Sequence, residues 1–246
     1  MRNKVLNPTI PSLPTTVQPT PHPKLDFEAG IIINIDKPVG WTSFDVVKKI
    51  RNVVKVKKVG HAGTLDPFAT GVLLICTGRA TKKVNELMSL KKVYRAEIEL
   101  GKTTDSYDCT GKVTSSHSIN DLDEARVREV SAQFVGEIDQ IPPMFSALKQ
   151  NGKRLYKLAR KGITVDREPR RVCIHDLQVL DIDLPKVCIE VVCSRGTYIR
   201  ALASDIGKTL GCGAYLKTLC RTRIGRYRVE DAETVSGFTR MHTCRS

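Results

Sequence analysis

The sequence predicts a mixed α/β domain. Three observations carry that reading. Short continuous apolar runs, IIINI at 31–35 and VLLICT at 72–77, have the length and composition of buried strands. Val93 to Leu100 alternates strictly, with Tyr94, Ala96, Ile98 and Leu100 on one face and Arg95, Glu97 and Glu99 on the other. Two further stretches carry apolar stripes at helical spacing, Val46, Val47, Ile50, Val53 and Val54 in one and Ile199, Leu202, Ala203, Ile206 and Leu210 in the other.

In chain order, residues 1–27 hold six of the twelve prolines and no acidic residue before Asp26. Such a segment buries too little apolar surface to offset its ordering entropy, so a disordered or extended leader is expected. The fold is expected to begin near Gly30, with IIINI as its first strand and DKPVGW as a turn. Thr42 and Asp45 have capping-box spacing and open the first helix. A glycine-rich loop, GHAGTLDPFATG at 60–71, precedes the VLLICT strand. Residues 80–90 read as helical and 93–100 as a strand. A helix is expected over 121–134, then a proline-broken loop, IPPMFSALKQNGKRLYKLARKG, leading into a short basic helix. Two strands follow at 171–184 and 186–194. The helix at 198–210 stops at Gly211. Residues 223–229 alternate again. No internal repeat is present, and strand pairing is not specified by these patterns.

Forty Lys and Arg against 26 Asp and Glu give a net charge of +14 over 246 residues. That surplus points to a polyanionic partner, nucleic acid before membrane. No apolar run approaches the ~20 residues of a membrane span. The eight cysteines form no CxxC pair, and several sit in apolar runs as small hydrophobes. With no secretory signal in residues 1–25, they indicate a reducing cytosol. There is no P-loop, no GxGxxG after a strand, no HExxH and no GxSxG. The five histidines lack metal-ligand spacing.

Two places suggest chemistry. Asp66 precedes Pro67, which biases it toward an extended or turn conformation. Among glycines that allow close approach, its carboxylate either faces a ligand or ties off a turn. In RGTYIR, Thr197 reads as an N-cap, which puts Arg200 in the first helical turn. The helix dipole opposes a cation there, so an anion, phosphate or carboxylate, is expected beside it.

Five co-linear blocks across about residues 30–230 resemble the TruB family of tRNA pseudouridine synthases. They are NIDKPVGWTSFDVV, GHAGTLDPFATGVLLICTGRATK, KKVYRAEIELGKTTDSYDCTG, QIPPMFSALKQNGKRLYKLARKG and SRGTYIRALASDIG. The resemblance implies the pseudouridine synthase catalytic fold, a central, largely antiparallel mixed sheet flanked by helices. It implies isomerisation of the T-loop uridine of tRNA, position 55 in conventional tRNA numbering, with no cofactor and no metal. Asp66 matches the essential aspartate. Arg200 matches its partner arginine, and His61 matches the histidine that fills the space left by the flipped base. Tyr94 matches the tyrosine that stacks on that base; on its own pattern, Tyr94 reads first as core. Tyr198 and Leu219 match further base-contacting positions, and Lys37 and Pro38 match a motif that supports the site. The implied arrangement is a catalytic domain over 28–235 and a short tail over 236–246 too small for a PUA domain. The implied protein is a cytoplasmic monomer that contacts the T stem-loop of tRNA.

Overall fold

The computed structural model describes residues 25–150 and 152–243. The leader expected at 1–27 lies outside the described residues as far as Lys24. The chain forms β1 (Ile32–Lys37), α1 (Ser43–Val54), β2 (Val59–His61) and β3 (Thr70–Thr77). A 3-10 turn (Gly78–Lys83), α2 (Val84–Ser89), β4 (Lys92–Leu100), β5 (Lys102–Thr104), β6 (Val113–Ser116), α3 (Glu124–Ala132) and β7 (Gly136–Gln140) follow. Then come β8 (Lys149–Gln150), β9 (Lys153–Arg154), α4 (Leu155–Ala159), β10 (Arg170–Asp183) and β11 (Lys186–Cys193). The last elements are α5 (Ile199–Thr209), β12 (Ala214–Ile224), β13 (Tyr227–Arg228), β14 (Glu233–Thr234) and α6 (Val235–Thr243).

One mixed sheet dominates, ordered β14-β1-β3-β12-β4-β11-β10-β7, with β2 added to β3 and β13 to β12. Most neighbours are antiparallel; β1 with β14 and β3 with β12 are the parallel pairs. The implied fold class, a largely antiparallel mixed sheet flanked by helices, describes this arrangement. Its apolar content is split among three clusters. One packs β4, β11 and β12 beneath α3 and α5, with Tyr94, Ile189, Leu202 and Leu219 among its members. A second joins α1 and α6 to β1 and β3. The third covers the opposite face of β3 with Leu87 and Ile224. With both faces covered, β3 needs apolar residues at successive positions, which is why VLLICT runs unbroken.

The local signals of α1 are realised in full. Asp45 N–H donates to Thr42 Oγ1 at 3.1 Å, and Thr42 N–H donates to Asp45 Oδ2 at 2.9 Å, so each satisfies an orphan donor. The polar face of β4 is less exposed than its alternation implies. Glu99 is buried and accepts from Lys217 at 2.6 Å and Lys102 at 3.2 Å.

Several elements differ from the sequence reading. Residues 80–90 divide into the 3-10 turn and α2. The N-cap of α5 is Tyr198 and not Thr197, whose hydroxyl donates to the Ser194 carbonyl at 3.1 Å. The eleven-residue β12, next to β4 in the middle of the sheet, was not anticipated.

Packing also extends past both expected domain ends. Phe27 stands edge-on to Phe238, ring centroids 6.1 Å apart. Residues expected in the tail form α6, whose Phe238 is 1% exposed against α1 and β1. Phe238→Ala therefore removes a core aromatic, with an expected loss of ~3–5 kcal/mol of stability. Urea unfolding of the two proteins measures this. A change below ~0.5 kcal/mol, the scale of an ordinary surface substitution, would show that α6 is not integral to the fold.

Candidate active site

Asp66 lies in the loop between β2 and β3, whose backbone is held from several sides. Lys37, at the end of β1, is fully buried and donates from Nζ to the carbonyls of Pro38, Trp41 and Pro67 at 2.8, 2.7 and 3.3 Å. Gly40 N–H adds a 2.8 Å bond to Pro67 O. Ser43, the first residue of α1, takes both backbone groups of Leu65: its hydroxyl accepts from the N–H at 2.9 Å and donates to the carbonyl at 3.2 Å. From β12, Arg221 donates to Gly63 O at 3.1 Å, Thr64 O at 3.4 Å and Val72 O at 2.8 Å. An irregular loop leaves carbonyls without ladder partners, and here buried donors supply them.

Of the loop's glycines, Gly71 answers to neighbouring backbone. Gly71 has φ +99°, and a Cβ there would stand 2.3 Å from the Arg221 carbonyl oxygen. Parallel pairing of Arg221 with Gly71 needs that space.

Arg200 meets Asp66 from the first turn of α5. Its Nε donates to Oδ2 at 2.9 Å and its Nη2 to Oδ1 at 3.2 Å, a bidentate pair. Arg200 is 3% exposed at its side chain while Asp66 keeps 34% open, so the arginine forms the floor and the carboxylate faces out. The remaining donors of Arg200 reach Ser106 O at 3.0 Å and Phe145 O at 2.8 Å, and Nη1 lies 3.4 Å from Asp108 Oδ2. Asp108 is buried and also accepts from Ser106 Oγ at 2.7 Å and Thr110 Oγ1 at 2.6 Å. One guanidinium thus serves two carboxylates, one open and one closed. Burial pushes the Asp66 carboxyl above the usual carboxylate range. The Arg200 guanidinium opposes that shift, and the Asp108 charge adds to it.

The other expected residues fall as follows. Tyr94 lies on β4 opposite Arg221 and packs in the same apolar cluster as Leu65 and Leu219; burial raises its pKa. Leu219 is paired with Ala96 across β12 and β4. Tyr198 is half-buried at the head of α5. His61 ends β2, and its buried Nδ1 has no hydrogen-bond partner. Burial first, and then the Arg221 charge, push its pKa down, which favours the neutral ring. Lys37 and Pro38 stand at the β1–α1 turn. Lys37 therefore acts on backbone carbonyls. Sequence reasoning missed Asp108, Arg221 and Ser43. Asp108 lay inside one of the family-like blocks, but nothing local distinguished it from Asp105. Among the described residues no cluster of His, Cys, Asp and Glu could hold a metal ion, and no helix is long and apolar enough to cross a membrane.

Comparison with known proteins defines the class. Residues 51–199 match the TruB family pseudouridylate synthase N-terminal domain, and residues 200–243 match the tRNA pseudouridylate synthase B C-terminal domain. The chain is similar to the tRNA pseudouridine synthase B of Phocaeicola vulgatus, 47% identical over 220 residues, covering 87% of this chain and 94% of that one. Its counterpart in Parabacteroides distasonis is 51% identical over 212 residues, covering 84% and 90%. Among solved structures, the fold superposes on a chain in a crystal structure of a Cbf5-Nop10-Gar1 complex with a TM-score of 0.69 and 32% identity. That match covers 87% of this chain and 54% of the other, so this chain spans about half its length. The fold is that of a pseudouridylate synthase. Within that class, the chain belongs to the TruB family.

The Lys37 anchor yields a pH prediction. Burial lowers its pKa from the ordinary 10.5 to about 8. Between about 8 and 10.5 the folded protein has shed this proton while the unfolded chain still holds it. The unfolded state then binds more protons, so this position's contribution to stability rises with pH across that window. Below about 8 the cost of burying the charge is present in full. Unfolding free energies of wild type and Lys37→Met, compared from pH 7 to 10.5, should shift progressively in favour of wild type. A pH-independent difference would rule the buried ammonium out.

Proposed function

We propose that this protein isomerises a uridine of tRNA to pseudouridine, and that the uridine is the T-loop residue at position 55 in conventional tRNA numbering. The observation that carries this is an outward-facing carboxylate, Asp66, fixed by a buried arginine in a TruB-family fold. The target base leaves the loop's stack at a cost of about a few kcal/mol. Asp66 acts at C1′ of the ribose as the N1–C1′ bond breaks, as nucleophile or as charge, in the manner of a carboxylate facing an oxocarbenium-like centre. The base turns, C5 bonds to C1′, and the proton lost from C5 is balanced by one gained at N1. Nothing is oxidised, and no group leaves the substrate.

The chain's own residues suit those demands. Asp108 is closed off behind Arg200, so it is not placed to activate water against the glycosidic carbon. Tyr94 and Leu219 provide an apolar wall for the turned base, and Tyr198 approaches from α5. Neutral His61 occupies the gap left in the RNA. The net charge of +14 supplies phosphate contacts, which carry most RNA affinity. The enzyme works as a cytoplasmic monomer on the T stem-loop.

Pseudouridine mapping after mixing purified protein with an unmodified tRNA transcript tests the reading. Turnover is expected with no RNA present other than the tRNA transcript. A requirement for a guide RNA, or RNA annealing without pseudouridine, would replace it.

Asp66→Asn keeps the shape and removes the charge. It is expected to abolish pseudouridine formation while the tRNA Kd from filter binding stays within a few-fold. Near-wild-type turnover would remove Asp66 from the chemistry. Tyr94→Leu is expected to lower single-turnover rate more than affinity, by roughly fivefold to 150-fold, the rate equivalent of ~1–3 kcal/mol of base stacking. Intact kinetics with a lowered Tm would assign Tyr94 to the core alone.

A further inference from the structure

We propose that Gln140 is a positioning residue of this site: its side-chain amide fixes the head of α5, and through it the Arg200–Asp66 pair. The inference rests on the pseudouridine synthase reading above. It starts from a missing cap. The first N–H groups of a helix have no intrahelical acceptor. α5 nevertheless follows an N-cap residue, Tyr198, that gives it no side-chain cap, and Thr197 is engaged with the Ser194 carbonyl.

Gln140 fills that role from 58 residues away. Its Oε1 accepts from Tyr198 N–H at 2.7 Å, and its Nε2 donates to Tyr198 C=O at 3.1 Å. The amide binds both backbone groups of one residue, as a neighbouring strand would. Only one amide orientation satisfies both bonds, because the flipped group would set oxygen against oxygen and donor against donor. Gln140 is 1% exposed, and its backbone pairs with Arg170 as the last residue of β7. The amide is therefore held on a strand and sealed from water.

Arg200 lies two residues beyond this clamp. All its polar contacts leave through the guanidinium, to Asp66, Asp108, Ser106 and Phe145. Its backbone position is inherited from the start of α5. Phe145, whose carbonyl accepts from Nη2 at 2.8 Å, belongs to the chain that leaves β7 directly after Gln140. Gln140 thus locates both the helix that carries the guanidinium and the segment that helps hold it. A displacement of about 1 Å at a reacting group can cost a hundredfold in rate.

The test uses the full chain, tRNA transcript and two variants, Gln140→Met and Gln140→Glu. Circular dichroism confirms the folded fraction at the assay temperature. In Gln140→Met, kcat is expected to fall roughly ten- to a hundredfold, on the scale of such a displacement, with tRNA Kd within a few-fold. Gln140→Glu retains the acceptor but, when ionised, cannot donate to the Tyr198 carbonyl. Protonation restores the donor. Its kcat relative to wild type at the same pH should therefore recover as pH falls, whereas the Met variant's ratio stays flat. Arg170, which pairs with Gln140 across the sheet, and Arg200 and Asp66, whose charges reach the neighbouring Tyr198, are the charged groups that bear on where this recovery lies. A role confined to stability would lower Tm in both variants without any such recovery. A Met variant with kcat within twofold of wild type, or a Glu variant whose ratio does not change with pH, would overturn the proposal. Wild-type turnover in the same assay separates this outcome from failure of the functional reading.

Discussion

The pairing of Asp66 with Arg200 is the constraint around which this molecule is arranged. It joins residues 134 positions apart, one on a loop and one in the first turn of a helix. A cation at that end of α5 is disfavoured by the helix dipole, and a bidentate carboxylate answers it. The pair is asymmetric in exposure. The arginine is sealed, and the aspartate keeps a third of its side chain open. That asymmetry suits the role proposed for Asp66, which a purely structural ion pair would not require. The sealed partner sets direction, and the open one can meet a substrate.

Most of the surrounding cations are committed to backbone rather than to acids. Lys37 and Arg221 are among the largest fully buried side chains, and they donate to carbonyls of the Asp66 loop or its neighbours. Charge-assisted bonds of this kind hold an irregular backbone more firmly than neutral ones. Their positive charges also bear on the site, since Lys37 opposes the rise in the Asp66 pKa and Arg221 helps push the His61 pKa down. The same side chains therefore shape the loop and tune its chemistry. Such preorganisation places dipoles and charges before the reaction needs them.

The sheet makes this geometry possible by bringing β12 between β3 and β4. One strand thereby supplies Leu219 to the wall beside Tyr94 and Arg221 to the loop clamp. Antiparallel pairing with β4 sets the register of the apolar wall. The short parallel contact with β3 sets the distance to Gly71. Moving β12 by one residue would turn Arg221 out of the loop and Leu219 out of the wall.

What the sequence determined by itself was local or carried by a motif. The Thr42–Asp45 box, the β3 run, the β4 alternation and the α5 stripe are short-range patterns with direct physical meaning, and each became the element it predicted. Five co-linear blocks were enough to indicate the family and to single out Asp66 and Arg200. Tertiary structure alone decided the rest. β12 was illegible because two irregularities in its pairing with β4, at Leu216/Thr218 and Arg221/Arg223, break the period of two that identifies a strand. Asp108 and Asp105 look alike along the chain, and only folding buries one against Arg200. Gln140 reads as an ordinary polar residue before a proline-rich loop until Tyr198 arrives from 58 residues away. Side chains that act on distant backbone leave no periodic trace, because their partners are set by the pairing of strands and not by neighbours in sequence.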